Sequence, residues 1–422
     1  MFSSKVVAAA VLMAAAASPI QQAPSFRTGV QVVEVDARVF DRDGRFVTNL
    51  AQDDFEILED GVAQQIVAIS LIGSGRSAGS VGSGGSAGSV PVEGAERAEP
   101  SKALPSAKQT WIFFFDLNHL TPGAGFDRAR KAVEEFVRLR FKEGDLAGVV
   151  AGDKMVNNRL TDVRADLVAA VRSVRPRGET RNRMIEMTRE WPRFRDEDEA
   201  MQVARNIKEA VDRAVQRACS DDPDSCSMAE SMVSQKAQRL ASMLQKETAE
   251  TFSAINGLAS GLARVPGPKT IVFLSDGFAT LGFEASLRTL VGQTARSGSR
   301  VYAIDARGLG RAHAGLGDAA TFDDAAGGPA RFDALEDGVN SLAVDTGGLM
   351  IRNENNIGRA LDEIATDSGT YYVLGYQPVN TAFDGKYRKI EIRVKRPGLK
   401  VRARQGYLAL EPSRMLVPER IR

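Results

Sequence analysis

At 422 residues the chain has length for about three domains. Its 55 Lys and Arg against 54 Asp and Glu leave a net charge of +1, without the basic excess of a nucleic-acid binder. Two His and two Cys argue against a zinc site built from four N and S ligands, and leave His119 and His313 as the only imidazoles for acid–base work. The chain opens on Lys5, an apolar run over 6–17 and small residues up to Ala23. This reads as a signal peptide over 1–23, with an apolar part too short to span a bilayer. No Cys follows that run, and no later segment is long and apolar enough to be a membrane span. The mature chain is therefore expected to be exported, periplasmic or extracellular.

Val33, Val35, Ala37 and Val39 alternate with polar residues, and further short strands follow at 55–58 and 65–69, so 28–72 reads as an N-terminal β unit. Phe46 and Val47 read as the start of another strand. The Gly/Ser-rich stretch over 73–109 cannot bury apolar surface and reads as a linker. Buried strands are expected at 111–115 (Trp-Ile-Phe-Phe-Phe), 146–151, 270–274 and 300–304. Helices are expected between and after them at 126–139, 165–174, 286–297 and 358–365. The alternation predicts an α/β domain over 110–366 with a doubly wound, mostly parallel sheet.

A helical hairpin is expected to interrupt this domain over about 183–255. Val203, Ile207, Val211, Ala214 and Ala218 keep helical spacing, as do Leu240, Leu244, Phe252, Ile255, Leu258 and Leu262. Cys219 and Cys226 flank the polar turn between the two arms. In an oxidising compartment they are expected to form a disulfide. Strands at 371–376, 387–394 and 399–403 make 368–410 a C-terminal β unit, expected to pair with the N-terminal unit in one composite sandwich.

Ligands of open α/β sheets bind at the carboxyl ends of the strands. There the sequence reads Phe115-Asp116-Leu117-Asn118-His119-Leu120-Thr121 and Leu274-Ser275-Asp276-Gly277, with Arg175-Pro176-Arg177-Gly178-Glu179-Thr180 between them. This pattern resembles a von Willebrand factor A domain. Motifs along the rest of the chain resemble the VWFA-related proteins of the acidobacterial type. They are Val39-Phe40-Asp41-Arg42-Asp43-Gly44, the run Asp54 to Gly61, Asp345-Thr346-Gly347-Gly348, Tyr371 to Tyr376, and Arg404-Gln405-Gly406-Tyr407. The resemblance implies a metal-ion-dependent adhesion site that holds Mg²⁺ or another divalent cation through oxygen ligands. Carried over by position, those ligands are Asp116, Asn118, Thr180 and Asp276. Asn118 stands where the family has Ser, and Leu120 stands at a second Ser position and supplies no oxygen.

His119 and Asp153 read as loop residues. The implied function is an exported, non-enzymatic adhesion module whose protein partner completes the ion's shell with an acidic side chain. One alternative is a metal-independent scaffold that uses the helical hairpin. Another is a hydrolase using Ser275 or the Asp116/Asp276 pair, although Ser275-Asp276-Gly277 is not a G-x-S-x-G elbow.

Overall fold

In a computed structural model, residues 32–73, 108–278, 283–307 and 330–409 are described, without the side chains of 178–181 and 330–337. The expected signal peptide, most of the expected linker and His313 lie outside the described residues.

Alternation of apolar side chains builds β1 (Val33–Phe40), whose Val33, Val35, Ala37 and Val39 are buried. β2 (Phe55–Glu59) and β3 (Val62–Gly73) form a hairpin across Asp60-Gly61. Both turn residues have positive φ, at 50° and 84°, which suits the right-handed twist of paired strands and explains Asp-Gly here. The C-terminal segment adds β10 (Thr370–Gln377), β11 (Tyr387–Val394), β12 (Lys400–Ala403) and β13 (Gly406–Leu408). These seven strands make one antiparallel sheet in the order β12-β1-β10-β3-β2-β11-β13. β10, an interior strand, pairs with β1 on one side and β3 on the other, with Val33 opposite Tyr376 and Tyr372 opposite Leu71. The two ends of the chain thus share one curled sheet, a half-barrel rather than two sheets packed face to face. Phe46 makes only an isolated bridge to Phe40, so no strand starts there.

The second sheet has six strands in the order β6-β5-β4-β7-β8-β9. They are β4 (Thr110–Phe115), β5 (Leu146–Ala151), β6 (Lys154–Met155), β7 (Lys269–Ser275), β8 (Ser299–Asp305) and β9 (Met350–Ile351). β6 runs antiparallel to β5, so the sheet is mixed. The expectation of a doubly wound, mostly parallel sheet is therefore corrected. The larger sheet is wholly antiparallel and the smaller is mixed. The reason lies in partner choice and direction, which local periodicity does not report: β6 turns back antiparallel on β5, and the terminal strands, expected to form a sandwich, join edge to edge in one sheet.

Apolar residues of α1 (Ala124–Leu139), α2 (Arg164–Ser173) and α9 (Ile357–Gly369) pack with Trp111, Phe113 and Phe115. Ile112 and Phe114, on the other face of β4, pack with α7 (Glu284–Arg296) and the last turns of α6 (Ala229–Leu262). Val339, Leu342 and Ala343 of α8 (Ala330–Asp345) join that cluster.

The insertion holds α3 (Gly178–Arg189), α4 (Glu197–Ala204) and α5 (Lys208–Asp221) against α6. The expected continuous helix over 203–218 is broken. Asn206 takes a left-handed φ of 56° between α4 and α5. Asn tolerates that region better than most residues, because its short polar side chain bonds locally. Cys219 and Cys226 are disulfide-bonded at the hairpin tip. Among the described residues, no helix is long and apolar enough to cross a membrane.

Candidate functional site

β4 and β7 lie side by side and parallel, which brings Asp116 and Ser275-Asp276 together at their carboxyl ends. Asp116 is 1% exposed, and both its oxygens receive protein donors. Thr251 Oγ1, from α6, donates to Oδ1 at 2.9 Å. Ser275 Oγ and His119 Nδ1 each reach Oδ2 at 2.8 Å. Burial pushes the Asp116 carboxyl up, but the His119 imidazole and the two hydroxyls outweigh it and hold the group below the usual carboxylate range. Asp276 Oδ2 accepts from the Thr121 backbone N–H at 2.8 Å. There burial dominates and raises the carboxyl above its ordinary value. Gly277 follows with φ of 100°, a conformation open to glycine, and its N–H meets Ser275 Oγ at 3.1 Å.

Asn118 extends this network outward. Its amide nitrogen donates to Thr251 Oγ1 at 3.1 Å, and its Oδ1 accepts from Arg177 Nη1 at 2.9 Å. Arg177 Nη2 bonds Asp153 Oδ1 at 2.9 Å, and Nη1 lies 4.0 Å from Glu250 Oε2. Beside Arg177 a groove of about 900 Å³ runs between β5 and the last turns of α6. Its floor includes Val150, Met155, Leu160 and Leu258, with Arg177, Asp153 and Glu250 on its rim. A smaller recess of about 240 Å³ adjoins Asn118 and Arg177.

The expected metal ligands divide accordingly. Asp116, Asn118 and Asp276 are brought to one place. The expected Gly-x-Thr loop is instead the start of α3, and the Thr180 side chain lies outside the described residues. Leu120 is buried in the apolar cluster with Phe115, Leu117 and Phe126. Protein donors engage the oxygens of this set. Asp116 Oδ1 and Oδ2 and Asn118 Oδ1, the oxygens a hard cation needs, face N–H and O–H donors, one of them on a guanidinium. Among the described residues, no three His, Cys, Asp or Glu side chains converge as metal ligands.

Nor is the order that of a nucleophile relay. Asp116 stands between Ser275 and His119, whereas a serine nucleophile needs the imidazole in the middle. His119, in the turn after β4, is a buried partner of Asp116, and Asp153, in the turn after β5, is an ion-pair partner of Arg177. Sequence reading missed Thr251 and the position of Arg177. Thr251 lies 135 positions from Asp116, and nothing in its local pattern marks it as a partner. The sequence matches no protein-family model and no curated protein.

Proposed function

We propose that the chain is an exported, non-enzymatic binding module that engages a protein partner at the Arg177 groove, independently of metal. The observation that carries this reading is the contrast across the strand ends. The carboxylates are buried and internally bonded, while Arg177 is 43% exposed beside a groove with an apolar floor. The partly exposed guanidinium, anchored by Asn118 and Asp153, is the cation that a partner's carboxylate would meet at this groove. The acidic partner side chain expected from the adhesion-site resemblance then meets Arg177 instead of an ion. Resemblance to VWFA-related proteins supports binding over catalysis, as does the burial of Ser275. The disulfide suits an oxidising compartment, as export requires.

Two measurements test this. Affinity capture from an extracellular or envelope extract, with Arg177→Glu as control, is expected to lose its partner in the variant; equal recovery would count against the groove. Calorimetric titration with Mg²⁺, Mn²⁺ and Ca²⁺ is expected to show no saturable binding. Binding that disappears in Asp276→Ala would restore the metal-dependent reading.

A second reading is favoured by the hairpin tip, where Met228 and Met232 are exposed next to the disulfide. If the tip is the contact surface, Met228→Glu with Met232→Glu abolishes capture and Arg177→Glu does not.

A further inference from the structure

Six basic side chains and two acidic ones line a pocket of about 820 Å³ where the antiparallel sheet meets the first residues of β7 and β8. It lies at the opposite end of β7 from Asp276, about 20 Å away at the usual rise per strand residue. Arg38 comes from β1, Arg264 from the approach to β7, Lys269 from the first position of β7, Arg296 and Arg300 from the α7–β8 junction, and Arg404 from the loop between β12 and β13. Glu34 and Asp36 are the acidic pair.

The internal pairing leaves cationic donors over. Arg38 has no exposed side-chain surface, and its Nε serves Asp367, at 2.9 Å from the carbonyl and 3.2 Å from Oδ2. Asp367 is shared with Tyr302, at 2.7 Å, and with Arg402. Arg38 Nη1 and Nη2 are buried without a hydrogen-bond partner. Arg300 bonds Asp36 through Nε at 3.0 Å, with Nη2 in ion-pair contact at 2.9 Å, and its side chain also engages Tyr371; neither buried Nη makes a well-aligned hydrogen bond. Both guanidinium groups lie near the Tyr371 ring, at 5.2 Å and 4.2 Å from its centroid. A ring face offsets part of a cation's desolvation but satisfies no directed N–H fork. Burial also disfavours the charged forms of Lys269 and Arg404, a cost that a bound anion offsets.

We propose that this pocket binds an oxyanion, the phosphate or carboxylate group of a small molecule, with Arg38, Arg300 and the buried Lys269 as inner donors and the exposed Arg264 nearer the mouth. Planar guanidinium forks match both kinds of oxyanion, and desolvation strengthens the pairing. The site is independent of the Arg177 groove.

Calorimetric titration of the full chain at low ionic strength tests this, with inorganic phosphate in one arm and citrate in the other. Saturable binding is expected in at least one arm, and the stronger arm identifies the class. Arg264 is exposed, so Arg264→Glu disturbs the fold little and is expected to weaken binding about tenfold. Arg300→Gln is expected to abolish it, with circular dichroism reporting whether that variant folds. Lys269→Met serves as the second inner change if it does not. Absence of saturable binding in both arms at millimolar ligand overturns the proposal. So does affinity that is unchanged in both Arg264→Glu and Lys269→Met.

Discussion

Asp116 and Asp276 are neighbours at one strand end, yet their environments push them in opposite directions. The lowered Asp116 carboxyl favours folding above its ordinary pKa, and that contribution fades as pH falls through its depressed native value. Asp276 has the opposite sign. Between its ordinary pKa and its raised native value the folded state keeps a proton that the unfolded state releases, so stability falls as pH rises through this window. Asp276→Asn keeps an oxygen to accept from Thr121 and removes the titration. It is expected to raise Tm at neutral pH and to flatten the descending limb of a Tm-against-pH series. An unchanged slope would remove Asp276 as its source. A different constraint governs Gly348 in the Asp345-Thr346-Gly347-Gly348 motif. A Cβ there would lie 1.9 Å from the Val301 carbonyl oxygen, and Thr346 Oγ1 receives the Val301 N–H at 3.0 Å. The motif therefore seats α8 against β8.

At the scale of elements, the helical insertion is built from small side chains. Ala210, Ala214 and Ala218 of α5 are buried with Ala229, Val233 and Ala237 of α6. Such faces let helices approach closely but contribute little apolar area per residue. The disulfide, whose cysteines are 7 positions apart, constrains the unfolded hairpin. Replacing both cysteines by Ser is expected to cost about 2 kcal/mol by the loop-closure estimate. Denaturant titration and amide exchange check this, with the loss of protection centred on α5 and the start of α6. Loss spread evenly over both sheets would instead mean that the insertion unfolds together with the rest of the chain. α6 also connects this insertion to the strand ends, because its Thr251 bonds Asp116 while its Phe252 and Ile255 pack under the six-stranded sheet.

For the whole molecule, an interior strand of the larger sheet comes from the C-terminal segment. β10 follows α9 directly, so the helix that packs on one sheet leads into the interior of the other, between β1 and β3. Tyr376 and Tyr407 both donate to the buried Glu59 Oε2, at 2.6 Å and 3.1 Å, which ties β10 and β13 to β2. A chain ending at Gly369 lacks β10 to β13 and leaves β1 and β3 without their shared neighbour. Limited proteolysis is expected to cut such a chain within 32–73, with loss of β signal in circular dichroism. Resistance equal to that of the full chain would show that β1–β3 hold without β10.

Much of this was readable before any coordinates. The alternation at Val33 to Val39, the apolar run at 111–115 and the two amphipathic arms around Cys219 and Cys226 all follow from side-chain periodicity and backbone preference, which act over a few residues. The convergence of Asp116, Asn118 and Asp276 was also legible, since strand ends of one sheet gather polar residues. Pairing was not. Val33 meets Tyr376, Arg38 meets Asp367, and Asp116 meets Thr251 across hundreds of positions or more than a hundred. Periodicity reports which face of a strand is buried but not what covers it. Partner choice decided that the terminal strands form one antiparallel sheet, that protein donors occupy the strand-end carboxylates, and that arginines from distant segments line one pocket.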